Sequence, residues 1–225
     1  MQLSGNIFKF LKLLQKNNNR EWFGEHKSLY EESKLEFEAF VKSLIDELSH
    51  FDNSIAYVDP RKAIFRIYRD VRFSKDKSPY KVNFGAHINA TDKSSGFEKA
   101  GYYVHLQPSA SFIGGGAYMP PSTWLKAFRQ QIDHRGDELL DIIKDKEFKK
   151  YFKDISGEKL SLMPKGYAKD HPYIDLLKYK SITAIQNMDD EFVQSKGFLK
   201  HCGNAFKALK PFNDFLNEAN SNMEE

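Results

Sequence analysis

The chain has 225 residues with a hydrophobic fraction of 40% and an aromatic fraction of 14%, ample for a packed core, and its 29% of mixed charge argues against global disorder. Its net charge of +3 and pI near 8.7 are only mildly basic, short of the pI of about 9 that marks a dedicated nucleic-acid domain. No run approaches the roughly 20 apolar residues that cross a bilayer, and no cleavage site follows the first apolar run, so neither an anchor nor a signal peptide is expected.

In chain order, Ile7, Phe10, Leu11 and Leu14 stand at helical spacing and predict a short amphipathic helix. Asn17, Asn18 and Asn19 follow as a stop, since asparagine tolerates the left-handed conformation at a helix end. A longer helix is expected over 20–48, with Phe23, Tyr30, Phe37, Phe40, Val41, Leu44, Ile45 and Leu48 as its apolar stripe. From residue 63 the period changes to two. Ala63, Phe65, Ile67, Val71 and Phe73 point inward and Ile64, Arg66, Tyr68, Asp70 and Arg72 outward, with Arg69 marking a bulge or a strand end. Residues 82–90 alternate more cleanly. A polar connection with Ser94, Ser95 and Gly96 leads to a third strand over 102–107, and a fourth is expected near Phe112.

Helices return after Pro120 and Pro121, with Ser122 as N-cap, Leu125, Phe128 and Ile132 on one face, and a further helix over 137–152. A loop over 163–172, a short helix over 174–178 and an edge strand over 182–185 precede a last helix over 191–218, broken near Gly203 and Pro211. The pattern predicts one α+β domain over 1–225, an antiparallel meander of about four to five strands flanked by N-terminal and C-terminal helices. Fraying is expected from about residue 218. The lone Cys202 permits no internal disulfide, which fits a reducing compartment, and with no signal peptide expected the cytoplasm is the expected location.

The basic charge is local. Residues 61–81 hold eight basic side chains against Asp70 and Asp76, so this segment carries +6 and the rest of the chain −3. A tight meander sets Arg66, Asp70 and Arg72 beside Asn83, Gly85 and His87, with Tyr103, His105 and Gln107 on the same polar side. Guanidinium forks converging there would suit a phosphate or carboxylate; the competing reading is a solvated face of weak ion pairs. The candidate ligand-binding residues are Arg66, Arg69, Asp70, Arg72, Lys75, Lys77 and Lys81. His87, His105 and His171 are candidate acids or bases, because histidine titrates near neutral pH.

Other motifs carry less. Ser74 and Lys77, and Ser78 and Lys81, match a Ser-x-x-Lys spacing but lack its companion motifs. Gly114, Gly115 and Gly116 precede no Lys-Ser/Thr, so a bulge or tight turn explains them better than a phosphate cradle. The seven histidines show none of the strong metal-ligand spacings, so no metal is expected, with His87, His105 and Asp70 the one set that could meet in space; any cofactor is left open. Phe65, Tyr68, Phe73 and Tyr80 interleave with the bases as stacking residues do, yet inward packing accounts for most of them. A small anionic partner is therefore favoured over nucleic acid or a protein-interaction surface, and no membrane partner is expected.

Asn18-Asn-Arg-Glu-Trp-Phe23 with His26-Lys27 and Tyr30; Tyr68-Arg-Asp-Val-Arg-Phe-Ser-Lys-Asp-Lys-Ser-Pro-Tyr-Lys81; Gly101-Tyr-Tyr-Val-His105; Gly114-Gly-Gly116; and Pro164-Lys-Gly-Tyr167 with Asp170-His-Pro172 and Leu177-Lys178 resemble the family catalogued as domain of unknown function 2461. The resemblance runs in order over nearly the whole chain, departing at Glu36, where the family is expected to carry proline. It implies a mostly bacterial, single-domain protein and assigns no particular activity, so it supplies no catalytic residues. Its blocks are rich in polar residues, and residues 20–27, the 74–81 loop and the Pro164–Tyr167 loop are expected to gather at one pocket.

Overall fold

The computed structural model describes residues 1–90 and 99–221, with side chains through Ala219. The connection around Ser94, Ser95 and Gly96 lies outside the described residues, as do residues 222–225 at the expected frayed end. The elements are α1 (Gly5–Lys16), α2 (Arg20–Glu25), α3 (Lys27–Ser49), α4 (Pro60–Ala63), β1 (Phe84–Ile88), β2 (Gly101–Leu106), β3 (Ser111–Ala117), α5 (Ser122–Lys144), α6 (Lys146–Phe152), β4 (Ile155–Ser156), α7 (Ile174–Leu177), β5 (Ile182–Met188), α8 (Asp190–Val193) and α9 (Phe198–Ser221). The strands form one antiparallel sheet in the order β1-β2-β3-β5-β4, so the fold is α+β with a helix-flanked sheet. The expected meander is its first three strands. β5 is not the edge strand expected over 182–185: it lies between β3 and β4, and the short β4 takes the edge through Ile155↔Ala184 and Ser156↔Thr183.

The chain divides into two compact units. Unit 1 comprises Met1–Ile88, Tyr103–Ile113 and Asn187–Gly203. Its core is aromatic: Phe84 of β1 meets Phe10 of α1 at 6.1 Å and Tyr30 and Phe37 of α3 at 6.3 and 5.5 Å. Ser4 caps α1, accepting the Asn6 backbone N–H, while Glu36 of α3 accepts both the Ser4 hydroxyl at 2.7 Å and the Ser4 backbone N–H. Glu36 therefore ties the start of α1 to α3.

Asn17 ends α1 without entering the left-handed region, at φ −133°; its side chain and backbone N–H both donate to the Leu13 carbonyl instead. Asn19 then caps α2 by accepting the Trp22 N–H at 2.9 Å. The single helix expected over 20–48 is two, parted at His26, whose Nδ1 donates to the Trp22 carbonyl at 2.9 Å while its ring stacks on Trp22 at 4.2 Å.

The strand expected over 63–73 is the largest correction. Asp59 caps the one-turn α4, and the chain beyond it meets 79–86 only through the isolated bridges Ile64↔Ala86 and Tyr68↔Tyr80. Pairing slips between these bridges, ahead of the bulge or strand end expected at Arg69, and Asp70 and Arg72 lie past the pairing and not beside Gly85 and His87. Phe73, expected inside, is 96% exposed.

Unit 2 comprises Asn89–Tyr102, Gly114–Gln186 and Asn204–Glu225. Pro121, not Ser122, stands at the N-cap of α5, which is kinked at the non-helical Arg135 (φ −132°); beyond that kink the helix expected over 137–152 is shared between the end of α5 and α6. Arg135 pairs there with Glu138 and Glu218. α9 continues through Gly203 and Pro211 to Ser221, past the expected break and fraying point. Its polar side chains serve neighbouring backbone: Asn213 donates to Gly101 O at 3.0 Å, and Asn217 both accepts from and donates to Ala100. The glycine triplet lies inside β3, where a Cβ on Gly114 or Gly115 would fall 2.4 and 2.2 Å from the carbonyls of Ala184 and Gly101. Close strand approach accounts for these glycines.

Candidate functional site

In unit 1 one polar row grows from strand alternation. Phe84, Ala86 and Ile88 of β1 and Val104 and Leu106 of β2 are buried, which turns Tyr103, His105 and then Gln107 to the other side, where they are half-buried. The Tyr103 hydroxyl donates to His105 Nδ1 at 3.1 Å, Asn83 Nδ2 approaches the same nitrogen at 3.5 Å, and His105 Nε2 reaches Gln107 Oε1 at 3.1 Å. These partners agree on one tautomer, with the proton on Nε2 and Nδ1 accepting. His105 lies flat on Phe112 at 4.6 Å, and its burial lowers its pKa, opposed by the Gln107 bond, so at neutral pH it is uncharged. Gly85 makes room for the row: a Cβ there would sit 2.8 Å from the Tyr103 hydroxyl.

Phe65 extends the row, 6.1 Å from Tyr103, and the Lys81 ammonium lies over it at 5.3 Å from the ring centre. Burial, with Arg66 second, lowers the Lys81 pKa. Among the described residues no carboxylate forms an ion pair with Arg66 or Lys81.

The remaining cations of the segment are used differently. Arg69 pairs with Asp76 and donates to Ser78 O at 3.1 Å and Ser74 Oγ at 3.4 Å. Arg72 grips Asp70 with Nε and Nη2, and its backbone N–H reaches the same carboxylate. Lys77 donates to Val71 O at 3.0 Å, and Lys75 is exposed. The Arg72 side chain, then its backbone N–H, holds Asp70 down at about 2, and Ser78, then Arg69, does the same for Asp76. Arg69, Asp70, Arg72 and Lys77 thus knit the 69–78 loop to itself.

The second candidate histidine of the sheet, His87, belongs to β1 and is half-buried. The third, His171, lies in unit 2. Its Nδ1 accepts the Tyr173 backbone N–H at 3.1 Å and its Nε2 donates to Asp133 at 2.8 Å, so both nitrogens are spent. Tyr167 and Tyr173 present edges to the ring at 5.7 and 5.8 Å, and Gly136 of α5 leaves the space that the Tyr173 ring fills. Among the described residues no three His, Cys, Asp or Glu side chains gather as metal ligands. Burial pushes the Cys202 thiol up, far from a nucleophile's range.

Sequence reasoning missed Asn18. Its amide donates to Tyr80 O at 3.0 Å and accepts the Tyr80 N–H at 3.1 Å, acting as a one-residue strand, while Phe23 stacks on Tyr80 at 4.0 Å. The only sequence signal was a third asparagine left over between a helix stop and a helix cap. The first two blocks that carry the resemblance therefore meet each other, ring on ring and amide on backbone.

No curated protein and no solved structure matches the chain. The family model described as Conserved hypothetical protein (DUF2461) matches residues 6–215. The chain belongs to that family, as the order of its blocks implied.

Proposed function

We propose that the chain binds a phosphorylated or carboxylated small molecule at the Arg66 and Lys81 end of the polar row in unit 1. The carrying observation is the Lys81 ammonium, half-buried over Phe65 and disfavoured first by that burial and then by Arg66, with no carboxylate among the described residues in ion-pair contact with either cation. An anion placed there would relieve that repulsion and accept guanidinium and ammonium hydrogen bonds. Asn83 and Tyr103 supply neutral polar groups beside it. His105 is neutral and fixed in one tautomer, so it enters as a hydrogen-bonding wall; an acid or base role would require Gln107 to release Nε2. Among the described residues no helix is long and apolar enough to cross a membrane. With the lone Cys202, we place this activity in the reducing cytoplasm.

The test is a thermal-shift panel of phosphate, sulfate, sugar phosphates and dicarboxylates. A ligand at about 100 times its Kd adds roughly 2.7 kcal/mol, or about 5–10 °C for a chain of this size. The shift is expected to vanish in Arg66→Ala and Lys81→Ala and to persist in Arg72→Ala, whose guanidinium is already held by Asp70. An undiminished shift in both of the first two variants would remove the site.

A further inference from the structure

The 69–78 loop leaves something over once its internal pairings are counted. Asp70 is neutralised by Arg72, and Asp76 by Arg69, with the Ser78 hydroxyl donating to the same carboxylate. The unneutralised charge of the hairpin is then carried by Arg66, Lys75, Lys77 and Lys81. Among these cations stand two rings that the fold does not bury: Phe73 is 96% exposed and Tyr68 51%. A single exposed phenylalanine is ordinary. This one differs in its setting. The loop beneath it is cross-braced by Arg69, Asp76, Ser78 and the Lys77 to Val71 bond, so the ring is presented by fixed backbone. The Arg72 guanidinium lies 5.9 Å from the ring centre.

We infer that this hairpin binds single-stranded nucleic acid, its bases stacking on Phe73 and Tyr68 and its phosphates lying along Arg66, Lys75, Lys77 and Lys81. The inference shares Arg66 and Lys81 with the small-anion reading but rests on Phe73 and the braced loop, and it names a different ligand. Charge complementarity selects the partner: a strand with one phosphate per base supplies anions and flat π-faces in alternation, as this segment supplies cations and rings. A duplex hides its base faces in the stack and offers only phosphates. An anionic membrane would ask for more apolar surface than Phe73 alone, whose neighbours Ser74, Lys75 and Asp76 are polar.

The experiment is fluorescence anisotropy with labelled oligothymidylate and oligouridylate, the matching duplex, and vesicles containing phosphatidylserine as competitor. Single strands should bind at low salt, with a log–log salt slope of about −3 for four phosphate contacts. Phe73→Ala should weaken binding about ten-fold with no change in melting temperature, and Tyr68→Ala by less, since base–aromatic stacking contributes about 1–3 kcal/mol per base. Phe73→Trp should keep the affinity, with indole fluorescence quenched by bound bases. Equal binding by wild type and Phe73→Ala, equal affinity for duplex, displacement by vesicles, or no binding at low salt would each overturn the inference. Inorganic pyrophosphate separates the two proposals. A pyrophosphate shift lost in Arg66→Ala, without oligonucleotide binding, sinks this one and keeps the small-anion site; Phe73-dependent oligonucleotide binding without a pyrophosphate shift does the reverse.

Discussion

Residues 69–78 in unit 1 and residues 163–173 in unit 2 are both polar loops rich in groups suited to chemistry, and they dispose of those groups in different ways. In unit 2 the chemistry is closed: His171 has a partner on each nitrogen, and Tyr173 fills the space beside Gly136. In unit 1 the closure is partial. Arg69, Asp70 and Arg72 are consumed in bracing and Lys77 gives one bond to it without losing its charge, yet Arg66, Lys81 and the exposed Phe73 take no part. A polar loop does not announce a site by its composition; what matters is which groups remain after the backbone has been served. Buried or half-buried backbone needs donors and acceptors, and nearby side chains meet that demand first.

The comparison can be broken most forcefully at the closed loop. Gly136→Ala places a methyl 2.4–2.6 Å from the Tyr173 ring. Overpacking of this kind should cost about 1–3 kcal/mol, read as a lower urea midpoint and faster proteolysis within 163–173. Wild-type stability in that variant would mean the loop is not held as described. Next, Asn18→Ala removes both bonds to Tyr80 and should cost about 1–2 kcal/mol, with Asn18→Asp recovering only the acceptor half. If the two variants melt alike, the paired amide is not what joins the hairpin to α2.

Smaller effects come from pH. Burial depresses the folded pKa of His105, so its stabilising contribution is complete above the ordinary value of about 6.5 and declines as pH falls from there toward the lower folded pKa. Melting temperature should therefore drop more steeply below pH 6.5 in wild type than in His105→Gln. The Lys81 pKa is also depressed, so anion affinity should fade with rising pH before the ordinary lysine range near 10.4. Last and least, Asp70 and Asp76 sit at about 2. Depressed carboxylates stabilise above their unfolded pKa, about 4, and lose that contribution as pH falls through about 2. The 69–78 loop should hold at pH 4 and loosen only below it, followed by the fluorescence of Phe73→Trp. Loosening at pH 4 would mean that the Arg72 and Ser78 bonds do not hold.

Much of this was legible in the residues themselves. The helical spacing of Ile7 to Leu14, the alternation of 84–88 and 101–106, and the short helix at Ile174 follow from local geometry, since side-chain direction repeats every 3.6 or 2 residues. The ordered blocks identified the family, and the charge count located the basic segment. The joint polar side of Tyr103, His105 and Gln107 was also within reach, because alternation fixes it once the strand is found.

Tertiary structure alone decided the rest. Residues 63–73 alternate like a strand, but the alternation says nothing of whether a neighbour supplies a continuous ladder; only two bridges form, and Phe73 swings out. The long kinked α5 and the interior place of β5 depend on contacts far along the chain. The division of cations between Arg69 and Arg72 on one side and Arg66 and Lys81 on the other was equally hidden. In sequence all are positive charges at similar spacing, while a hydrogen bond requires a partner within about 3 Å, and only the folded backbone sets who stands that close.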